Sequence, residues 1–453
     1  MAETYNFGAL YIHAWEWAAL PIYLAVIFLV SHILQRRRIR DNPLYRFYLW
    51  GLFAKIGGGI IFSLIYLYYY KGGDTISYFE SALAMKNLLW ESPPAWLLNE
   101  FGANSVQHYS LFTGATGYPL PYMYYDLHTI AAIRVICLLV IPAFNSYLLA
   151  TVIIAWVGYW GIWRMFLVFA AIYPKLKNSL AFAILFFPSV LFWSSGILKD
   201  TITLSCTGWA IYCIYSVFIL KRSQISYSLL LLLNVYLILL IKPYIVIALL
   251  PGCLIWIFSE RINSIRNTLV KVLLLSTIII ICTVSGYFVF SQLNSYLGKF
   301  SLQKIAQTAE VIQKDLHQSY YHGHGFDIGA VGNTATSFFT KSPQALAVGL
   351  FRPYIWETGN VVMLFSGLEN TLILVLLLLM ILRNRVKILL QRFIAEPLLF
   401  FSITYSAFFA YAVGISTSNF GALVRFKVAY LPFFVASLLI LLQAKSRIRI
   451  EKD

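Results

Sequence analysis

Residues 17–35 read WAALPIYLAVIFLVSHILQ, and Arg36-Arg37-Arg38 follow directly. The run holds no Asp, Glu, Lys or Arg. Its length matches the roughly 20 apolar residues that one α-helical bilayer crossing needs. Its arginines come after the apolar core, the reverse of the charge order in a cleavable signal peptide. The stretch therefore reads as a retained transmembrane helix whose carboxyl end meets the inner, positively charged side.

The same pattern recurs along the chain. Apolar segments fall at 17–35, 47–70, 146–172, 178–197, 200–220, 226–241, 243–259, 268–291, 361–382, 392–414 and 428–444. They set the expectation of an all-α, polytopic transmembrane helical bundle with about 11 spans. A further stretch, 129–143, is apolar but short, carries Arg134 and ends at Pro142 and Asn145. It reads as one interfacial or re-entrant helix. Composition agrees. The chain is 60% hydrophobic and 11% charged, whereas soluble domains carry about 25% charged residues. The expected organisation is a transmembrane module over 1–291 with an outer loop at 71–128, an outer-face loop region at 292–360, and C-terminal transmembrane helices with a cytoplasmic tail over 361–453.

Charge sets the orientation. Arg36, Arg37, Arg38, Arg40 and Arg46 lie on one short loop; Lys175 and Lys177, Lys221 and Arg222, and Arg261, Arg266 and Lys271 lie on others. Arg383, Arg385, Lys387 and Arg392, then Lys445, Arg447, Arg449 and Lys452, complete a set holding more than half of the 34 basic residues. Placing these loops inside puts the amino terminus outside and the carboxyl terminus in the cytoplasm, as an odd number of spans requires. The net charge of +16 then follows from topology, and no nucleic-acid partner is expected. The five cysteines, Cys137, Cys206, Cys213, Cys253 and Cys282, sit in apolar stretches and read as packing residues. No Walker loop, dinucleotide fingerprint or metalloprotease helix is present. His322-Gly323-His324 has only Asp327 nearby as a further ligand, so no metal site is expected there.

Chemistry-bearing residues gather at the outer ends of the spans. After the second span comes Gly72-Gly73-Asp74-Thr75-Ile76-Ser77-Tyr78-Phe79-Glu80. Its glycines allow a sharp turn, and Asp74 is then held at the membrane surface. There it could act as a general base or cap the next helix. The outer loop continues as helix-like stretches near 76–90 and 94–102, split by Pro93-Pro94. Farther on, Pro188 to Asp200 joins a proline-broken helix to Ser194-Ser195-Gly196 and the adjacent pair Lys199-Asp200. Lys199 could bind an anionic headgroup, with Asp200 supporting it; a helix-hairpin turn with a snorkelling lysine is the plainer alternative. Lys242, Arg352, Arg425 and Lys427 also fall on the outer side, where topology offers no reason for cations. Together they suit a phosphate or pyrophosphate. Glu357 reads as a second acid or as a holder for Arg352, and Glu369 as an internal hydrogen-bond partner.

Asp74, Tyr78 and Ala82 together resemble the first outer loop of the GT-C superfamily of membrane glycosyltransferases, in which an acid just beyond an early span precedes a tyrosine and small residues. Pro188 to Asp200, Arg352-Pro353 with Glu357, and Arg425 resemble elements of bacterial surface-polysaccharide proteins. Two departures are visible: Asp74 is followed by Thr75 where many members have a second acid, and an extra helix at 17–35 precedes the relevant span. The resemblance implies a polyprenyl-phosphate-linked sugar as donor, a glycan or lipid acceptor, and no tightly bound cofactor. It gives Asp74 the base role, and Lys199, Lys242, Arg352 and Arg425 the leaving phosphate. The expected location is the bacterial inner membrane. A polysaccharide polymerase and a lipid-linked oligosaccharide flippase are the competing readings. The first would use the same outer arginines; the second would require inverted repeats, and none is evident.

Overall fold

The structure is a computed structural model describing residues 10–265, 267–292, 340–417 and 419–443. Arg266, most of the expected outer loop at 292–360 with His322, His324 and Asp327, and the basic set Lys445, Arg447, Arg449 and Lys452 lie outside the described residues.

Among the described residues the fold is helical and without strands. In chain order the principal helices are α1 (Ala14–Ile39), α2 (Pro43–Tyr69), α3 (Asp74–Glu91), α4 (Pro93–Phe101), α5 (Leu127–Ala143), α6 (Tyr147–Ile172), α7 (Pro188–Trp193), α8 (Lys199–Ile219) and α9 (Gln224–Ile241). There follow α10 (Pro243–Ile257), α11 (Thr268–Gln292), α12 (Ser342–Phe351), α13 (Val361–Arg383), α14 (Val386–Ala395), α15 (Pro397–Ser416), α16 (Phe420–Lys427) and α17 (Leu431–Leu442). Seven of these, α1, α2, α6, α8, α9, α13 and α15, are long and apolar enough to cross a membrane. The α16–α17 pair, bent by 64°, makes an eighth candidate if it counts as one span. The chain is an integral membrane protein of several helical spans.

The expected span at 178–197 is not one helix. A short helix at Lys177–Ala181 loosens into a π turn at Phe182–Phe186, Phe187 is extended, and α7 starts at Pro188. Proline explains the break, because it lacks an N–H and pushes the preceding residue out of the helical region. Pro397 likewise divides 392–414, leaving an amphipathic α14 before α15. The segments at 243–259 and 428–444 give helices of 15 and 12 residues. Each is shorter than a straight crossing requires.

Two compact units emerge. The first comprises Met1–Ala171, Val190–Cys213 and Ser228–Lys242; the second comprises Ile172–Ser189, Ile214–Tyr227 and Pro243–Asp453.

In the first unit α6 is the axis. Its apolar window is 72% buried, against 11% for α1, which is left to face lipid. Glycines set how closely the helices approach. A Cβ on Gly161 of α6 would lie 1.8 Å from the Ser205 carbonyl oxygen of α8, and one on Gly208 would lie 2.1 Å from that of Gly161. Only residues without side chains let these backbones touch, the packing mode that replaces the hydrophobic effect inside a bilayer. The Tyr159 hydroxyl donates to the Tyr48 carbonyl at 2.9 Å, tying α6 to α2. The segment between α2 and α6 is built on α3, which packs along α5; Pro93 starts α4 where the sequence places a break.

In the second unit α12 crosses α15 on small residues spaced four apart. A Cβ on Gly349 would come within 2.0 Å of the Ala410 carbonyl, and one on Gly414 within 1.9 Å of the Ala345 carbonyl. The Tyr430 hydroxyl donates to the Gly349 carbonyl at 2.5 Å, closing the same junction. On α14, Arg392 pairs with Glu396 at 2.7 Å and reaches the Ile440 carbonyl at 3.1 Å.

Candidate functional site

The corner leading to Asp74 is made by Gly72 and Gly73, at φ 156° and 110°, values that favour glycine. A side chain on Gly73 would also strike the Tyr66 ring at 2.9 Å. The turn therefore needs both glycines. The cap position at the start of α3 belongs to Gly73, so Asp74 is the first residue inside the helix and not its cap. It is exposed, and its charge faces the positive end of the α3 dipole. Thr75 and Tyr147 share a hydrogen bond of 3.0 Å that pins this end of α3 to α6. Tyr78, one turn later, is buried at 4% exposure and belongs to the packing of α3.

A second group forms at the head of α8. Lys199 and Asp200 open that helix, and both are buried. Lys242, just past α9, meets the Asp200 carboxylate at 2.5 Å, with side chains 5% and 1% exposed. Lys199 donates to the Thr129 hydroxyl at 2.7 Å. Thr129 is placed by Asp126, whose side chain caps α5 through the backbone N–H groups of His128 and Thr129. His128 Nδ1 lies 2.7 Å from the Leu240 carbonyl, drawing α5 and α9 together. The first unit thus brings two ammonium groups and a carboxylate to the N-terminus of one long helix. That end already carries positive potential.

One residue of this region escaped the sequence reading. Lys55, in the middle of α2 and 1% exposed, donates to the Ser194 hydroxyl at 2.6 Å and to the Ser194 carbonyl. It fastens the Ser194-Ser195-Gly196 turn against Gly58 and Gly59, whose absent side chains make room for the Leu191 and Ser195 carbonyls. The signal was available: an ionisable residue inside a span is a functional candidate by default. Glu100, near the end of α4, is 6% exposed and has one carboxylate oxygen without a hydrogen-bond partner among the described residues. Burial pushes its carboxyl up to about 7, and the charge of Arg134 acts the other way. Arg134 itself donates to the Asn99 and Gly102 carbonyls at 2.9 and 2.7 Å, closing the end of α4.

The second unit holds the remaining predicted residues. Glu357 grips Arg352 through Nε at 2.9 and 3.1 Å and through Nη2, and accepts the Tyr354 N–H at 2.9 Å. The Arg352 guanidinium also lies 5.5 Å from the Phe420 ring centre. Lys427 is buried, and its ammonium donates to the Leu350 carbonyl at 2.9 Å, the Arg352 carbonyl at 3.0 Å and Asn370 Oδ1 at 2.7 Å. An ammonium has three donors, so Lys427 spends all of them on protein. Asn370 adds a bond to the Pro353 carbonyl at 2.9 Å. Arg425, two residues before Lys427 on α16, is partly exposed. Glu369 accepts the Ser189 N–H at 2.6 Å and its hydroxyl, an internal tie between α13 and the start of α7.

No protein-family model, curated protein or solved structure matches this chain. The functional reading therefore rests on the geometry. Asp74, Tyr78, Lys199, Asp200 and Lys242 belong to the first unit; Arg352, Glu357, Arg425 and Lys427 belong to the second. Within the first, Asp200 and Lys242 pair with Lys199 adjoining at the same helix head, while Asp74 stands at a different one. Within the second, Glu357 and Lys427 both act on the segment carrying Arg352, one on its side chain and one on its backbone. Among the described residues no group of three or more His, Cys, Asp and Glu is arranged to hold a metal ion.

Proposed function

We propose that this protein is a membrane glycosyltransferase that moves a sugar from a polyprenyl-phosphate-linked donor to a glycan or lipid acceptor on the outer face of a bacterial inner membrane. In this reading the chain crosses eleven times, the shorter and bent helices included, with its amino terminus outside and its carboxyl terminus in the cytoplasm. The observation that carries the proposal is the head of α8, where buried Lys199 and Lys242 join Asp200 at a helix N-terminus. Buried cations at a positive helix end suit an anionic leaving group in a chain otherwise poor in charge.

The reaction has a simple balance. An acceptor hydroxyl gives its proton to Asp74, and its oxygen forms a bond to the anomeric carbon. The bond from that carbon to the phosphate oxygen breaks, and polyprenyl phosphate leaves with the electron pair. Lys199 and Lys242 offset the charge of that phosphate. Lys427 and Glu357 hold Arg352 in place, and Tyr78 and Asp200 support Asp74 and the lysines.

The test uses purified protein in nanodiscs with a pool of radiolabelled polyprenyl-phosphate monosaccharides, and measures label transferred to acceptor. Wild type transfers and Asp74→Asn loses about 100-fold or more in rate, the range for a positioned base. Near-normal turnover in Asp74→Asn with loss in Arg352→Gln or Arg425→Gln points to the polymerase instead. Absence of transfer by wild type from every donor and from lipid-linked oligosaccharides sinks both.

A further inference from the structure

The outer segment displays a group of tyrosines that the proposed chemistry does not use. Tyr118, Tyr122 and Tyr125 are 54%, 63% and 44% exposed. They lie within the run Tyr118-Pro119-Leu120-Pro121-Tyr122-Met123-Tyr124-Tyr125. The run is held firmly from below. Tyr124 is fully buried and donates to Asn99 Oδ1 at 2.7 Å, and Asn104 donates to the Tyr124 carbonyl at 3.2 Å. Tyr109 donates to the Pro119 carbonyl at 3.0 Å, and the Ser81 hydroxyl accepts the Leu120 N–H at 3.2 Å. Tyr109 also packs against Tyr118 and Tyr125, with ring centres 6.2 and 5.6 Å apart. None of the three exposed hydroxyls bonds to another described residue.

Charge narrows what such a surface can bind. The chain carries 34 Lys and Arg residues, yet none occurs between residues 87 and 133. Of the acids there, Glu100 is buried, Asp126 caps α5, and Glu91 accepts from Thr113. Arg134, the nearest cation, spends its guanidinium on the Asn99 and Gly102 carbonyls, which leaves an anionic headgroup or phosphate poorly matched here. Hydrocarbon is also a poor match, because it would leave the three phenol hydroxyls without a hydrogen-bond partner. A surface selected for tyrosine alone offers flat rings, free hydroxyls and little rotamer entropy to lose. The negative ring face attracts the weakly positive C–H face of a pyranose, and the phenol hydroxyl can donate to or accept from sugar hydroxyls.

We infer that Tyr118, Tyr122 and Tyr125 form a binding platform for a neutral oligosaccharide. The glycosyltransferase reading above bears on it only through the class of ligand, since the platform binds without turnover. The probe is an array of neutral hexose and N-acetylhexosamine oligosaccharides, with uronic-acid and sulfated counterparts printed alongside, screened with the protein in nanodiscs. Wild type retains one or more neutral oligosaccharides and not their charged counterparts. The triple variant Tyr118→Ala, Tyr122→Ala, Tyr125→Ala weakens that binding by about tenfold or more. The triple Phe variant, which keeps the rings, retains most of it. Asp74→Asn binds like wild type even where transfer is abolished, which separates the platform from the catalytic reading. Unchanged binding in the triple Ala variant, or retention of no neutral oligosaccharide by wild type, overturns the inference. So does strong brominated-lipid quenching of a bimane fluorophore attached to a Tyr122→Cys variant, which would put this position in the bilayer.

Discussion

Removing the Asp200 carboxylate should destabilise the first unit strongly, and removing its Lys242 partner as well should add much less than the lysine change costs alone. In Asp200→Asn the Lys242 ammonium stays 2.5 Å from the altered group, in a site where its side chain is only 5% exposed. Breaking a buried pair from one side costs about 3–5 kcal/mol, because the remaining charge is left in a poorly solvating site. The neighbouring Lys199, also buried at the head of α8, adds a like charge and pushes the expected loss towards the upper end. Lys242→Met should cost a similar amount by stranding the carboxylate. The double variant Asp200→Asn, Lys242→Met strands neither charge, so its cost should fall well below the sum. A coupling energy of about 2–3 kcal/mol is expected from the cycle. Reversible unfolding in mixed micelles, followed by tryptophan fluorescence, measures all four corners. Additive single costs, with a coupling under about 0.5 kcal/mol, would refute the view that this pair is a desolvated unit.

Other consequences can be checked independently. Gly349→Ala and Gly414→Ala each place a Cβ about 2 Å from a facing carbonyl oxygen, so each should cost about 1–3 kcal/mol as α12 is forced off α15. The same unfolding assay reads that loss, and neutral behaviour in both would contradict the crossing. Lys427→Met leaves the Leu350 and Arg352 carbonyls and Asn370 Oδ1 without their shared donor and should destabilise the second unit by about 3 kcal/mol. Glu100 supplies a pH dependence. Its folded value near 7 exceeds the ordinary 4.5, so the folded state holds the proton more tightly than the unfolded chain does. Its contribution is full below about pH 4.5 and is lost as pH rises through 7, a change of about 3 kcal/mol. Glu100→Gln should flatten that part of the pH–stability curve, and an unchanged slope would assign it to another group.

The sequence carried local information well and tertiary information poorly. Pro93-Pro94 divided the segment where α3 gives way to α4, because proline suits the first turn of a helix, where its missing N–H costs nothing. Apolar length alone identified α1, α2, α6, α8, α9, α13 and α15. It could not show that 178–197 opens at Phe187, although Pro188 marked the place, since hydropathy counts side chains and ignores the missing N–H. Arg352 and Glu357 are five residues apart, and their pairing was readable as one alternative. The partnership of Asp200 with Lys242 spans 42 residues and depends on how α8 and α9 pack. The same holds for Lys427, which read as a phosphate ligand until its three acceptors came into view. Lys55 was legible in principle, as a lone charge between apolar neighbours. Its partner, a serine in a turn more than a hundred residues away, was not.

The central claim is that the chemistry of this membrane protein lies at its outer face, beginning with Asp74 at the exposed head of α3. Labelling of an Asp74→Cys variant in intact cells by a membrane-impermeant maleimide tests it most directly. Wild type supplies the background, with Cys137, Cys206 and Cys213 buried and Cys253 partly exposed. The account predicts that position 74 reacts from outside the intact cell. Reaction only after the membrane is permeabilised, with no labelling before, would place Asp74 on the cytoplasmic side and contradict it.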